Sequence, residues 1–252
     1  MMNEKTVLIT GGNEGIGYEL ARCYARDHCR VLIAARNDEK LKHAAGMLKR
    51  EYSADVHCFC IDLGKPGASR RLYDAVRKQD LQVDVLVNNA GIGFAGRSWE
   101  IPVEKEEALV MVNDVALMSL TKLFLKDMTE RRNGMIINIA STGAFQPGPY
   151  IAAYYASKAF VLSYTKAVQK EAEEYGVKVI CYCPGPVDTA FYEKSGGKKT
   201  IGAVSPERCA KDLYKQTGKH AMIIPGFLNK AMLAVPAGIR TAFIQEMKKK
   251  NL

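Results

Sequence analysis

The chain has 252 residues, 48% hydrophobic and 25% charged, a globular composition that excludes a disordered chain. Its formal net charge of +9 raises nucleic acid as a partner, yet the basic residues are dispersed and the one run, Lys248 to Lys250, reads as a solvated tail. With no recognition module or aromatic platform beside the charge, no nucleic acid is expected as a partner. Seven cysteines lack any C-x-x-C spacing, which excludes a disulfide frame or a zinc site. The pairs Cys58/Cys60 and Cys181/Cys183 are expected to be buried small hydrophobes in a reducing compartment. The N-terminus passes straight into a strand without room for a signal peptide, and no apolar run reaches the ~18 residues of a membrane span, so the expected location is cytoplasmic.

In chain order, apolar runs at 6–9, 30–35, 56–61, 83–88, 135–140 and 177–183 read as strands, with a short seventh at 222–224. They are near-continuous rather than alternating, as parallel strands covered on both faces should be. Helical patterns fill 15–27, 38–51, 67–79, 104–131, 151–175 and 206–217. Strict alternation predicts an α/β protein, a single doubly wound parallel sheet with helices on both faces. No linker, repeat or low-complexity segment divides residues 1–252, so one domain is expected. The alternation breaks at 190–205, an excursion beyond a strand's carboxyl end that suits a substrate lid or a plain surface loop. Ser205, Pro206 and Glu207 then read as the N-cap, N1 and first-turn acid of the next helix.

The first strand runs into T-G-G-N-E-G-I-G at 10–17, with Gly11, Gly15 and Gly17 in the turn that opens a helix. There the free N–H groups of the helix N-terminus, without side chains in the way, suit a pyrophosphate. The second strand ends at Ala35, where a carboxylate would bind the ribose hydroxyls of NAD; Arg36 follows instead. A guanidinium fork matches the oxygens of a 2′-phosphate, so NADP(H) is favoured.

Ser141 closes the strand at 135–140, at the end where ligands bind in such sheets. Tyr154 comes thirteen residues later, and Lys158, four further on, shares its helix face. Tyr155 points about 100° away and is left to pack against the sheet or a neighbouring subunit. Hydride addition to a carbonyl creates an alkoxide that must be protonated. A tyrosine, with an ordinary pKa of about 10, can do this if an ammonium favours its phenolate. At ~4 Å and an effective dielectric of ~20 that attraction is ~4 kcal/mol, enough to bring the hydroxyl near working pH. Ser141 would hold the substrate oxygen beside it.

Together these residues resemble the short-chain dehydrogenase/reductase family, in its carbonyl-reductase and hydroxysteroid-dehydrogenase-like branch, over nearly the whole chain. The resemblance rests on 10–17, Asp62-Leu63, N-N-A-G at 88–91, Asn113, Ser141, Tyr154-x-x-x-Lys158 and P-G-P-V-D-T at 184–189. It implies a Rossmann fold and a catalytic set of Asn113, Ser141, Tyr154 and Lys158, with Asn113 holding a relay water. Read from the residues alone, the Asn113 amide could equally make a structural hydrogen bond. The implied cofactor contacts are Gly11, Asn13, Glu14, Gly15, Ile16, Gly17, Arg36, Asp62, Leu63, Asn89, Ala90, Gly91, Tyr154, Lys158, Pro184, Gly185, Val187 and Thr189. Asp62 would meet the adenine and Lys158 the nicotinamide ribose. Family members that take NADP through a basic residue before the second motif glycine have it where this chain has Glu14, so the NADP reading leans on Arg36.

Gly93, Phe94, Phe145, Tyr150 and Phe191 are the expected substrate pocket, with Trp99 and Tyr192 as further aromatics. If they line it, a lipophilic ketone or secondary alcohol fits, a hydroxysteroid among them; otherwise they pack loops or a subunit interface. The alternatives are a 3-oxoacyl reductase of fatty-acid type and a catalytically quiet NADP-binding regulator. The resemblance implies a homodimer or homotetramer. Residues 222–252 could cap the pocket, meet another subunit or make peripheral membrane contact.

Overall fold

In the computed structural model, which describes residues 5–195 and 202–249, seven parallel strands form one sheet in the order β3-β2-β1-β4-β5-β6-β7. The first half runs β1 (Thr6–Thr10), α1 (Gly15–Arg26), β2 (Arg30–Ala35), α2 (Asp38–Tyr52), β3 (Val56–Cys60), α3 (Ala68–Arg77) and β4 (Val85–Asn88). Then come α4 (Val103–Val110), α5 (Leu117–Glu130), β5 (Met135–Ile139), α6 (Ala152–Glu173) and β6 (Lys178–Tyr182). Last are α7 (Phe191–Lys194), α8 (Pro206–Gln216), β7 (Met222–Ile223), α9 (Phe227–Ala234) and α10 (Ala237–Lys249). The winding reverses between β1 and β4, and the crevice outside their carboxyl ends is where doubly wound sheets take ligands.

The continuous apolar runs divide by period two between the faces. Val7 and Ile9 pack with Leu20, Leu41 and Leu213, while Leu8 joins Leu72, Leu120 and Phe124 on the opposite side. β5 divides likewise, Ile137 and Ile139 against Ile136. Burial on both faces is what forbids the polar alternation of a half-exposed strand. At the strand ends the interior is polar: Asn88 Nδ2 donates to Thr121 Oγ1 and Asn138 Oδ1, and Asn138 Nδ2 to Thr165 Oγ1. This ladder ties β4 and β5 to the helices behind them.

Three sequence expectations need correction. Cys58 and Cys60 are exposed, because β3 is an edge strand; Cys181 and Cys183 are buried as expected. Lys248 and Lys249 are not a solvated tail but the last turn of α10, where cations complement the helix dipole. The helix expected over 104–131 is interrupted by a π-helical turn, Met111–Ala116, between α4 and α5. The stretch Val103–Glu130 reaches a mean hydropathy of 1.6, long and apolar enough to cross a bilayer. Its apolar stripe (Leu117, Leu120, Phe124, Met128) is buried, however, which makes it a core helix.

The cap of α8 is as expected: Ser205 Oγ accepts from the Arg208 amide and Pro206 stands at N1. The segment 190–205 begins with α7, and Val204 rejoins the fold by a bridge to Val187; residues 196–201 of the expected lid lie outside the described residues. Residues 250–252 of the C-terminal segment do as well.

Candidate active site

On the nucleotide side, the motif residues hold one another. Thr10 Oγ1 accepts from the amides of Asn89 and Ala90, while Asn89 Nδ2 donates to the carbonyls of Thr10 and Gly11. Asn89 therefore pins the glycine turn from behind. Gly15 has φ +59, in the left-handed region glycine favours. Gly17 serves close packing: a Cβ there would overlap the Gly11 carbonyl oxygen and the Asn89 amide. Asn13 and Ile16 complete the turn, half-buried. Asp62 Oδ1 accepts from the Gly64 amide, closing the turn after β3, and Leu63 is buried behind it.

Glu14 caps α1 without a side-chain hydrogen bond to its backbone. Its carboxylate pairs instead with Lys40, 3.3 Å away on α2, and with Lys194 on α7. Burial alone would raise the Glu14 carboxyl, but Lys194 and Lys40 hold it below its ordinary value. Arg36, exposed at the end of β2, has no ion pair among the described residues. Lys40 brings a second cation to this side, one that the glycine-motif comparison with Glu14 could not reveal.

The residues expected to handle the proton come from three elements. Ser141 caps the 3₁₀ turn Thr142–Phe145, and its Oγ accepts from the Gly143 amide at 3.0 Å. Tyr154 and Lys158 share a face of α6, with Nζ 5.7 Å from the tyrosine ring centroid. Lys158 is 4% exposed and donates to the Ile139 carbonyl at 2.8 Å. Burial pushes its ammonium down to about 8, opposed by the Asp114 carboxylate. The Tyr155 ring lies against Gly143 and Gly148, bracing the turn that carries Ser141.

Asn113 sits in the π turn and is fully buried. Its Nδ2 donates to the Ile92 carbonyl and Ser157 Oγ, and its Oδ1 accepts from the Ile92 amide. Both its amide protons are used structurally, holding the loop after β4. Gly91 lies at the junction, where a Cβ would be 3.4 Å from Asn113 Oδ1 and 3.6 Å from Lys158 Nζ. The neighbouring Asp114, which sequence reasoning passed over, is buried, its Oδ1 without a hydrogen-bond partner among the described residues. Burial pushes its carboxyl up to about 7, against the pull of Lys158. Only its place one residue after Asn113 could have drawn attention to it.

The segment 184–189 bridges the two sides. The Pro184 carbonyl accepts from the Thr142 amide, Gly185 is overlaid by Asn229, Val187 is buried, and Thr189 approaches Gly15. Phe191 follows, its ring centroid 5.0 Å from that of Tyr154, and both rings cover Gly93. Tyr150 has φ +64, unusual for a bulky residue, and its carbonyl accepts from the Gly96 amide. Phe94 is half-buried under the Lys105 ammonium, and Phe145 leans on the cluster of Leu117, Ala140 and Val161. Trp99 is 81% exposed, its ring 6.0 Å from the Arg97 guanidinium. A separate cavity of about 310 Å³, lined by Leu63, Met111, Ala116 and Lys122, lies between α3 and α5, away from Tyr154.

The family model described as short chain dehydrogenase matches residues 5–200. Dehydrogenase/reductase SDR family member 4 of Bos taurus is 30% identical, covering 90% of this chain and 88% of its own. The 7beta-hydroxysteroid dehydrogenase of Collinsella aerofaciens is 28% identical, covering 88% of this chain and 86% of its own. Among solved structures, a short-chain dehydrogenase from Sphingobium yanoikuyae in complex with NADPH superposes with a TM-score of 0.86 at 26% identity, over 95% of each chain.

Proposed function

Since this chain belongs to the short chain dehydrogenase family, and is therefore an oxidoreductase, we propose that it interconverts a ketone and a secondary alcohol on a lipophilic substrate with NADP(H). The observation that carries the reading is Lys158, buried beneath the Tyr154 ring on a shared helix face.

The donor set fits a nicotinamide dinucleotide. The glycine turn offers helix N-terminal amides to a pyrophosphate, and Arg36 and Lys40 supply cations near the end of β2 for a 2′-phosphate. Lys158 spends one N–H on Ile139, leaving two for ribose hydroxyls. The bound cofactor supplies or accepts the hydride. Ser141 Oγ accepts from Gly143, so its own proton remains for the substrate oxygen. Tyr154 gives that oxygen its proton in reduction and takes it in oxidation. The Lys158 ammonium, charged at neutral pH, favours the phenolate that results. Asn113 holds Ile92 and Ser157 in place, a positioning role that its spent amide protons support.

Phe191, Phe94 and Tyr150 make the substrate side aromatic, which favours a lipophilic substrate, and the steroid activity named for the Collinsella relative suggests hydroxysteroids as first candidates. Val103, Val110 and Phe160, exposed on α4 and α6, suit a homo-oligomer. NADPH oxidation measured over a panel of steroid ketones and small diketones tests the reading, with turnover of at least one expected. Arg36→Ala should weaken NADPH about tenfold or more while leaving NADH nearly unchanged. Equal loss of both would refute the cofactor assignment, and NADPH binding without turnover of any ketone would refute the activity.

A further inference from the structure

We propose that the outer face of α9 and α10 is a docking surface for an anionic lipid bilayer. The pair is held on the body of the protein by its inner side. Asn229 lies over Gly185 and donates to the Pro225 carbonyl at 2.6 Å. Arg240, 8% exposed, donates to the Phe145 carbonyl and to Gln146 Oε1, and Ile244, one turn on, is buried beside it. These anchors set which side of each helix faces away.

That side is apolar. Phe227 is 82% and Leu228 78% exposed, and Met232, Ile239 and Phe243 continue the surface. Leu228/Met232 and Ile239/Phe243 are i, i+4 pairs, so each helix presents a row rather than scattered residues. Five of the eleven exposed large hydrophobics among the described residues fall on these two short helices, which marks the face as an interaction site rather than ordinary surface.

Charge selects the occupant. Lys230 and Lys249 are exposed beside the apolar rows, while Lys248 continues the inward row of Arg240 and Ile244, with Glu246 the one acid between residues 227 and 249. Apolar rows with basic flanks are the makeup of helices that lie in the interface of an anionic bilayer. A second copy is a poorer fit, because a two-fold contact through this face would set the same cations against each other. Docking here would also put the bilayer beside the turn that carries Ser141, since Arg240 anchors to its last residue and the next. The surface assignment is independent of which substrate the site takes.

The test is vesicle flotation of the purified full-length chain, with phosphatidylcholine vesicles alone or mixed with phosphatidylglycerol. The chain should float with the anionic vesicles, stay behind with the neutral ones, and be released at about 1 M salt. Phe227→Ser/Leu228→Ser and Ile239→Ser/Phe243→Ser should each lower the bound fraction at least about tenfold, with unchanged thermal melting. No flotation with anionic vesicles would overturn the proposal, as would binding that survives both double substitutions. So would light scattering in which these substitutions convert a larger assembly into a smaller one without changing flotation, since the face would then be covered by a second copy.

Discussion

The two sides of the crevice are held together in opposite ways. On the nucleotide side, the motif residues bind one another's backbone directly: Thr10 Oγ1 accepts from the Asn89 and Ala90 amides, and Asn89 donates back to the Thr10 and Gly11 carbonyls. On the substrate side, the Ser141 turn rests on side chains from other elements, Tyr155 from α6 and Arg240 from α10. The difference teaches that on one side the residues proposed to meet the ligand are the residues that hold the fold. On the other, chemistry and support belong to different residues. Substitutions should therefore couple stability to cofactor binding on the first side and separate stability from turnover on the second.

The largest effect should fall on the substrate side. Tyr154→Phe should lower turnover by about 10²–10⁴-fold with the melting temperature and NADPH affinity near wild type, read by steady-state kinetics and calorimetry. Tyr155→Phe keeps the ring on Gly143 and Gly148 and should leave turnover nearly unchanged. Equal losses in both would break the separation. On the nucleotide side, Gly17→Ala forces a Cβ into the Gly11 carbonyl and Asn89. It should destabilise by about 1–3 kcal/mol and weaken NADPH in the same protein; a cofactor loss with no change in melting temperature would contradict the coupling.

At the seam the expected effect depends on pH, because the π turn there carries Asp114. Its carboxyl stands at about 7 in the folded chain against an ordinary 3.8, so between those values the folded state holds a proton that the unfolded state has released. More protons bound by the folded state means stability that falls as pH rises through this window. Asp114→Asn removes that loss. Its melting-temperature advantage over wild type should grow from about pH 4 to pH 7, by roughly ten degrees, and then level off. A difference independent of pH would show that Asp114 is not held protonated.

Much of this was legible before any coordinates. Each strand and every helix except α7, α9 and α10 was expected within a few residues, because burial on both faces of a parallel sheet writes itself as continuous apolar runs between amphipathic helices. Tyr154 was separable from Tyr155 by helix geometry alone, and the structure puts Lys158 under the Tyr154 ring. The π turn was not legible, since one extra residue in a turn leaves the apolar pattern nearly intact. Nor was the exposure of Cys58 and Cys60, which depends on β3 being the sheet's edge.

The sequence by itself determined the sheet and the crevice and singled out Ser141, Tyr154 and Lys158 as candidates, because periodicity, glycine spacing and an i, i+4 pair are local properties of a chain. Only tertiary structure decided that Asn113 spends its amide protons on Ile92 and Ser157, that Asp114 is buried near Lys158, and that Arg240 supports the Ser141 turn. Those partners lie between 21 and 95 positions apart for the hydrogen bonds. Contacts at that separation are set by how helices seat on the sheet, and no short-range pattern encodes them.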